Sequence, residues 1–585
     1  MNKTEKIICL LLGGVLVWYM FVQMPKMQKA QREAALAAQK AQAVRPAAAK
    51  ASLEAAPAAA PAPEQPAPKA LPATPEELVV LENDELKLEL SSWGAVVKKA
   101  TLKKYAKGLG PVGDKNPPVE LDFSDAPLGR LGDIDGSGGY ETKVVESSKT
   151  SATFSVGGWT RKVTLAGGYL VTYEDLCQRD YTAADPMPKT ISVGLMRMGS
   201  SKNDLLSVDS WAVDAGKGKP GVIHHCEGDS PLKGYLVGGL SGGCSGSKSA
   251  AGLPREASVQ YGGAQTWIAL KNRFFVTALV STTAEGEGFT ATVARDVKAQ
   301  SYRPESVSAV ANFRPGAGVT KSVFYIGPKK QSLLWSLGMK DVMEFGMWRW
   351  LCYPLVWVLN LFNSWIPSYG VAIILLTILV RLLFWPLTHK STVGMKKMQE
   401  IQPLMKEIQA KYKDNPQRLQ QETWALYKEH KVNPMSSCLP MLIQIPVFIA
   451  LFNVLRSAVE LRYAPFLWIA DLSEPEGLFA SWFPFGGLNI LPILMAATMA
   501  LQSALTPSTG DKSQQKMMMV FMPVMMLVMF YSFPSALSLY WTLSQVVSIV
   551  QMWMIRRQAQ KTQQAAVAPD AVIDPPQTRQ MRRHG

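Results

Sequence analysis

Apolar and polar residues repeat on different scales along this chain, and each scale predicts a different kind of element. Between residues 78 and 327 the repeat is two: LKLEL at 86–90, SATFSV at 151–156, YLVTYEDL at 169–176 and KSVFYI at 321–326 put alternate side chains on one face, as half-buried strands do. Gly and Asp clusters such as GDIDGSGG punctuate these runs at close spacing, which predicts an antiparallel all-β sandwich rather than alternating β–α units. Beyond residue 368 the apolar positions merge into long runs at 369–387, 436–455, 488–505, 517–533 and 535–555, each read as a membrane-spanning helix. A sixth run, 7–24, follows Lys3 and Lys6 with no small-residue cleavage pattern behind it. It reads as an uncleaved first transmembrane anchor.

The segments between these runs complete the organisation. Residues 25–77 are rich in Ala, Pro, Gln and Lys, as in PAPEQPAPKALPATP, and read as an extended tether with no core of its own. The β domain occupies 78–330. Within 331–368, WRWLCYPLVWVLNLFNSWI carries Arg349, Asn360, Asn363, Pro354 and several Trp, which suits an amphipathic helix lying in the membrane interface. Residues 369–558 form a five-helix core, interrupted at 390–434 by a polar stretch in which Met398, Ile401, Met405 and Ile408 repeat at helical spacing. There Asp414-Asn415-Pro416 predicts the end of one helix and the N-cap and first residue of the next, hence a helical hairpin. A short basic tail, 559–585, ends the chain. Pro446, Pro492 and Pro523 interrupt three of the spans and predict kinks. The Met-rich run at 517–529 reads as an apolar span.

Charge orients this arrangement. The polar stretch carries Lys390, Lys396, Lys397, Lys406, Lys411, Lys413, Arg418, Lys428 and Lys431, whereas the loop at 457–485 carries Arg462 against Glu460, Asp471, Glu474 and Glu476. The positive-inside rule puts the first in the cytoplasm, both termini with it, and the β domain on the far side. Lys26, Lys29 and Arg32 sit against this rule, although large domains translocate regardless of flanking charge. The formal charge of +15 over 585 residues then reflects cytoplasmic Lys and Arg rather than sequence-specific nucleic-acid binding. Cys226 and Cys244 form a disulfide or stay unpaired thiols, with Cys177 left over. His224-His225-Cys226 has no second cluster at metal-ligand spacing, so no metal is expected. No P-loop, nucleophile motif or carboxylate pair appears, so neither a cofactor nor an enzymatic reaction is expected.

The candidate chemistry lies in the spans. Arg381 falls inside an apolar run, where an insertion scale charges about 2.5–3.5 kcal/mol for a central cation, so it must face water or protein. None of the predicted spans holds an Asp or Glu near its centre. Thr377 is one turn away, Gln444 lies in LIQIPVF, Gln502 in MALQSAL, and Ser538, Trp541, Gln545 and Ser548 make one stripe of the last span. Together these predict a wet groove, although Gln and Ser also join helices without further function.

With these pieces in order, TILVRLLFWPLT at 377–388, KVNP at 431–434, LIQIP at 442–446, ILPILM at 490–495, FMPV at 521–524 and FPSALSLYW at 533–541, the chain resembles the YidC/Oxa family of membrane protein insertases in its Gram-negative form. The resemblance implies six transmembrane helices, a five-helix core around a hydrophilic groove holding Arg381, and an all-β periplasmic super-sandwich largely dispensable for insertion. It implies a non-enzymatic insertase of the bacterial inner membrane. Its expected partners are nascent membrane proteins, the Sec translocon, membrane lipids, and the ribosome through the tail and cytoplasmic loops. Thr377 and the pair Tyr540-Trp541 match family positions, but Trp541 stands where the family pair usually ends in tyrosine, and it keeps an aromatic wall without the hydroxyl. The groove residues expected are Thr377, Arg381, Gln444, Gln502, Tyr540, Trp541 and Gln545. A secondary transporter of an anionic solute, or a scaffold acting through the β domain, are the alternatives.

Overall fold

The computed structural model describes residues 75–567 apart from 115, 133–141, 157–158, 178–189, 200–203, 205, 213–221, 228–255, 296–303, 315–318, 344, 414, 431, 433–438, 480–486 and 506–516. The first anchor, nearly all of the tether, Cys244, the Cys177 and Cys226 side chains, and the chain from 568 onward lie outside the described structure.

The alternating sequence folds as its period demands. Strand Trp159–Leu165 buries every second residue, and every strand pairing among the described residues is antiparallel. The largest sheet has nine strands in the order Val222–Glu227, Ser207–Ala212, Gln265–Lys271, Phe275–Thr282, Val319–Pro328, Leu170–Cys177, Trp159–Leu165, Ser151–Val156, Lys143–Ser147. A five-stranded sheet, Glu256–Gly262, Glu285–Arg295, Pro304–Arg314, Thr190–Arg197 and Leu131–Gly132, packs across it. Its strand Thr190–Arg197 is buried from Ile191 to Met196, because it has a layer on each face. Strands Leu78–Glu82, Leu86–Ser91, Val96–Ala106 and Pro118–Asp122 make a third sheet.

One buried cation joins these sheets. Arg161 is 0% exposed and grips Asp175 with two bonds of 2.6 and 3.0 Å while its Nη1 donates to Gly129 O at 2.7 Å and Gly94 O at 3.2 Å. Its guanidinium lies 4.9 Å from the rings of both Trp159 and Tyr173. Gly129, at φ +79°, has no room for a Cβ beside Tyr173.

After the strands come helices, labelled here α1 Gln331–Ser336, α2 Arg349–Trp365, α3 Tyr369–Leu383, α4 Trp385–Glu400, α5 Gln402–Lys411, α6 Pro416–Glu429, α7 Leu439–Ser457, α8 Ile490–Leu505, α9 Met522–Phe530 and α10 Ser535–Val567. Helix α2 buries Cys352, Leu355, Val356 and Leu359 against α3 and α7 and exposes Trp350, Trp357 and Trp365. One face of the helix is thus packed into the bundle while its tryptophans stand on the other. Gly370 opens α3 where any Cβ would overlap the Phe466 ring, so only glycine allows that close packing.

The run expected as one helix at 369–387 is in fact two, bent by 59° between Leu383 and Trp385. Pro386 occupies the first turn of α4, where its missing N–H leaves no bond unmade. Among the described residues no single helix is both long and apolar enough to cross a membrane; the bent pair passes that test together, and shorter apolar helices run at Gln444–Ser457, Ile490–Leu505 and Met519–Phe530. Of the three prolines expected to interrupt spans, Pro446 lies inside α7. Pro492 and Pro523 instead sit in the first turns of α8 and α9, again positions that proline tolerates.

The hairpin forms where Asn415-Pro416 predicts it. Asn415 caps α6 by accepting from Arg418 N at 3.1 Å, with Pro416 in the first turn. Met398, Ile401, Leu426 and Val432 make its small separate core, flanked by Met405, Ile408 and Tyr427.

Candidate functional site

Arg381 lies in the last turn of α3, where carbonyls without helical partners give the helix end a partial negative charge that favours a cation. Its Nε donates to Ser544 Oγ at 2.8 Å and its Nη2 donates to the same oxygen. One turn before Ser544 on α10, the buried Tyr540 hydroxyl accepts from Gln444 Nε2 of α7 at 2.8 Å and neighbours Ser544. A polar chain therefore runs Gln444, Tyr540, Ser544, Arg381 and joins α7, α10 and α3. It follows from helical spacing, since Tyr540, Ser544 and Ser548 recur every four residues on one face of α10, and all three are buried.

Among the described residues the guanidinium is met by a hydroxyl and not by a carboxylate, so its charge is oriented without being neutralised. Its own residue is half-buried, while Ile378, Leu379, Leu382 and Leu383 around it are exposed. The end of α3 thus offers an apolar outer face and a polar inner one.

The other expected groove residues divide. Thr377 is fully buried and spends its hydroxyl on Ile373 O of its own helix at 2.7 Å, a common use of threonine inside a helix. Trp541 joins an aromatic wall, edge-on to Phe448 at 4.8 Å and 5.4 Å from Phe530, with Phe452 and Phe533 continuing it. Gln545 is buried, and among the described residues its Oε1 has no hydrogen-bond partner, nor do Ser538 Oγ and Gln551 Nε2 on the same helix. Gln502 lies half-buried on α8. Ser544, absent from the sequence expectation, is the central member, and its four-residue spacing from Tyr540 becomes informative only once the Tyr540 hydroxyl is placed in the site.

In the sequence the acidic residues after α7 serve only to orient the chain. In the structure they build its connections. The Glu476 carboxylate accepts from Ile490 N and Leu491 N at 3.0 and 2.6 Å, capping α8. Asp471 Oδ1 accepts from Tyr463 N and Ser473 N at 3.0 and 2.8 Å.

Fold and site together define a bundle of largely apolar helices carrying an all-β domain, with a cation held between its helices. Two family models match: the 60Kd inner membrane protein over residues 361–563 and the YidC periplasmic domain over residues 246–358. The membrane protein insertase YidC of Pelodictyon phaeoclathratiforme is 32% identical over 519 residues, covering 82% of this chain and 83% of that relative. The chain belongs to the YidC family of membrane protein insertases, a family of inner-membrane proteins. The insertase of Syntrophobacter fumaroxidans is 44% identical over 302 residues, which cover 50% of this chain and 54% of that protein. The chain spans about half the length of several such curated relatives in these matches. Among solved structures, an active YidC insertase with its first transmembrane domain resolved matches 82% of this chain and 92% of its own at 18% identity and a TM-score of 0.33.

Proposed function

We propose that this chain inserts proteins into the inner membrane, receiving polar segments of a client at the Gln444–Tyr540–Ser544–Arg381 chain while the client's apolar helix leaves past the exposed end of α3. The observation that carries this reading is the pairing of Arg381, among the described residues, with a hydroxyl and no carboxylate. A cation so held keeps its attraction for a client carboxylate, and the attraction is stronger inside a bundle than in water. The names of the relatives, membrane protein insertases, support the same activity. No chemical bond is made or broken in such a step. Apolar burial drives it, with the membrane potential adding about 2.3 kcal/mol per charge per 100 mV.

In this reading both termini and the α5–α6 hairpin are cytoplasmic, the β domain is periplasmic, and α2 lies in the interface. Clients are nascent membrane proteins, received directly or beside the Sec translocon, with the basic hairpin and tail toward the ribosome. The test is insertion of a short protein with an acidic translocated tail by purified full chain in vesicles. Arg381→Ala should slow insertion by on the order of tenfold or more, and Arg381→Lys should retain most of it. Native rates with the alanine variant would remove Arg381 from the mechanism.

A further inference from the structure

The turn between strands Gln265–Lys271 and Phe275–Thr282 carries three consecutive buried polar residues, Lys271, Asn272 and Arg273. The first two secure the turn to its own domain and its exit. Lys271 pairs with Asp209 and donates to Val342 O at 2.8 Å, while Asn272 Oδ1 accepts from Phe274 N and Phe275 N at 3.0 and 2.8 Å. Arg273 reaches out of the domain. Its Nε donates to Arg456 O at the end of α7 at 2.7 Å, its Nη1 to Glu474 Oε1 at 2.6 Å and its Nη2 to Ser473 O. Its own backbone N–H is fixed by Asp204 Oδ1 at 2.8 Å.

The segment that Arg273 grips holds the start of the site's central helix. Glu474 O accepts both Ser535 N at 2.9 Å and Ser535 Oγ at 2.6 Å, and Leu472 O accepts Ala536 N at 2.9 Å. These are N-terminal amides of α10, which has no acidic residue in its first turn, so the segment's carbonyls satisfy donors that the helix itself cannot. Tyr540 and Ser544 follow one and two turns later on the same rigid helix.

We propose that Arg273 is a positioning residue for the polar chain: by clamping residues 473–474 to the end of α7, the β domain fixes the height and rotation of α10. It thereby holds Tyr540 and Ser544 against Gln444 and Arg381. A guanidinium suits this task because its planar fork of five donors serves acceptors from two chain segments at once, which an ammonium cannot do in the same geometry. Arg462 makes a second tie in the opposite direction, donating from the α7–α8 connection to Ala106 O of the β domain at 2.8 Å. Among the described residues its side-chain hydrogen bond reaches Ala106 and not residue 473 or 474, so it serves as the control. The significance of the clamp rests on the insertase reading, but its existence does not.

The experiment is amide hydrogen exchange on the full chain in lipid, together with insertion of the acidic-tailed client. Arg273→Ala should speed exchange at Ser535 and Ala536 by at least about tenfold and slow insertion several-fold, leaving exchange within α6 unchanged. Arg273→Lys keeps the charge and one arm, and should fall between Arg273→Ala and native on both readouts; it also carries the test if the alanine variant does not accumulate. Arg462→Ala should leave the two α10 amides near their native rates. Native exchange at Ser535 and Ala536 in both Arg273 variants overturns the clamp. Faster exchange with native insertion overturns its role in positioning the site. Failure of the insertase reading itself shows differently, as no insertion of the client by the native chain.

Discussion

Ser544 decides how Arg381 presents its charge. A serine in a helix often bonds its own i−4 carbonyl, as Ser548 does with Ser544 O at 3.0 Å, whereas Ser544 Oγ accepts from the guanidinium. Ser544→Ala should leave the charge in place but unaligned, slowing insertion by on the order of tenfold at most and less than Arg381→Ala does in the same vesicles. A second residue-scale prediction concerns Glu460, just beyond α7, whose buried Oε1 has no partner. Burial raises its pKa above the ordinary 4.5. A raised carboxyl contributes stability that is complete below 4.5 and is lost as pH climbs through the higher folded value. Thermal melts of Glu460→Gln should therefore lie above the native protein at neutral pH, with the difference vanishing toward pH 4. In the β domain, Arg161→Ala leaves Asp175 buried and unpaired, and should destabilise the domain by about 3–5 kcal/mol, read from denaturant unfolding followed by domain tryptophans.

Elements were legible in the sequence wherever their boundary is chemical and local. Asn415-Pro416 marks the hairpin turn because a side-chain acceptor and a proline each have one suitable place at a helix start. Asn415→Ala should weaken the first turn of α6 by about 1 kcal/mol, seen as roughly fivefold faster exchange at the Arg418 amide. The strands were legible too, since a period of two admits few alternatives. The bend after Leu383 was not, because the residues on both sides are apolar and a periodicity argument runs straight through Phe384-Trp385-Pro386. Proline in that place signals a new helix start as readily as a kink. Of the candidate site, Arg381 and Gln444 were legible as polar groups in apolar runs, and Tyr540 through the resemblance alone. Ser544 was not, because a lone serine carries little cost in a helix, and the intrahelical bond that satisfies the Thr377 hydroxyl leaves no trace in the sequence.

At the scale of the whole molecule, the β domain and the bundle meet through a few polar ties rather than through a broad apolar seam alone. Arg273, Arg462 and Tyr463, whose hydroxyl donates to Lys107 O at 2.9 Å, all converge on the α7–α8 connection. Deleting residues 78–327 should therefore slow insertion of the acidic-tailed client several-fold without abolishing it. Complete loss with a folded bundle would favour a scaffold acting through the β domain, and an unchanged rate would make the ties dispensable.

The end of α3 just past Arg381 also sets the height at which the charge stands. At 1.5 Å per residue the helix climbs about 18 Å from Tyr369 to Arg381, and its foot is pinned where Gly370 lies under Phe466. The arginine is thus measured off from that foot as on a ruler. One residue inserted between them would swing the guanidinium by about 100° toward the oily side, whereas four would return it to nearly the same face about 6 Å further along. Which segments of a passenger meet the charge is then a matter of counting.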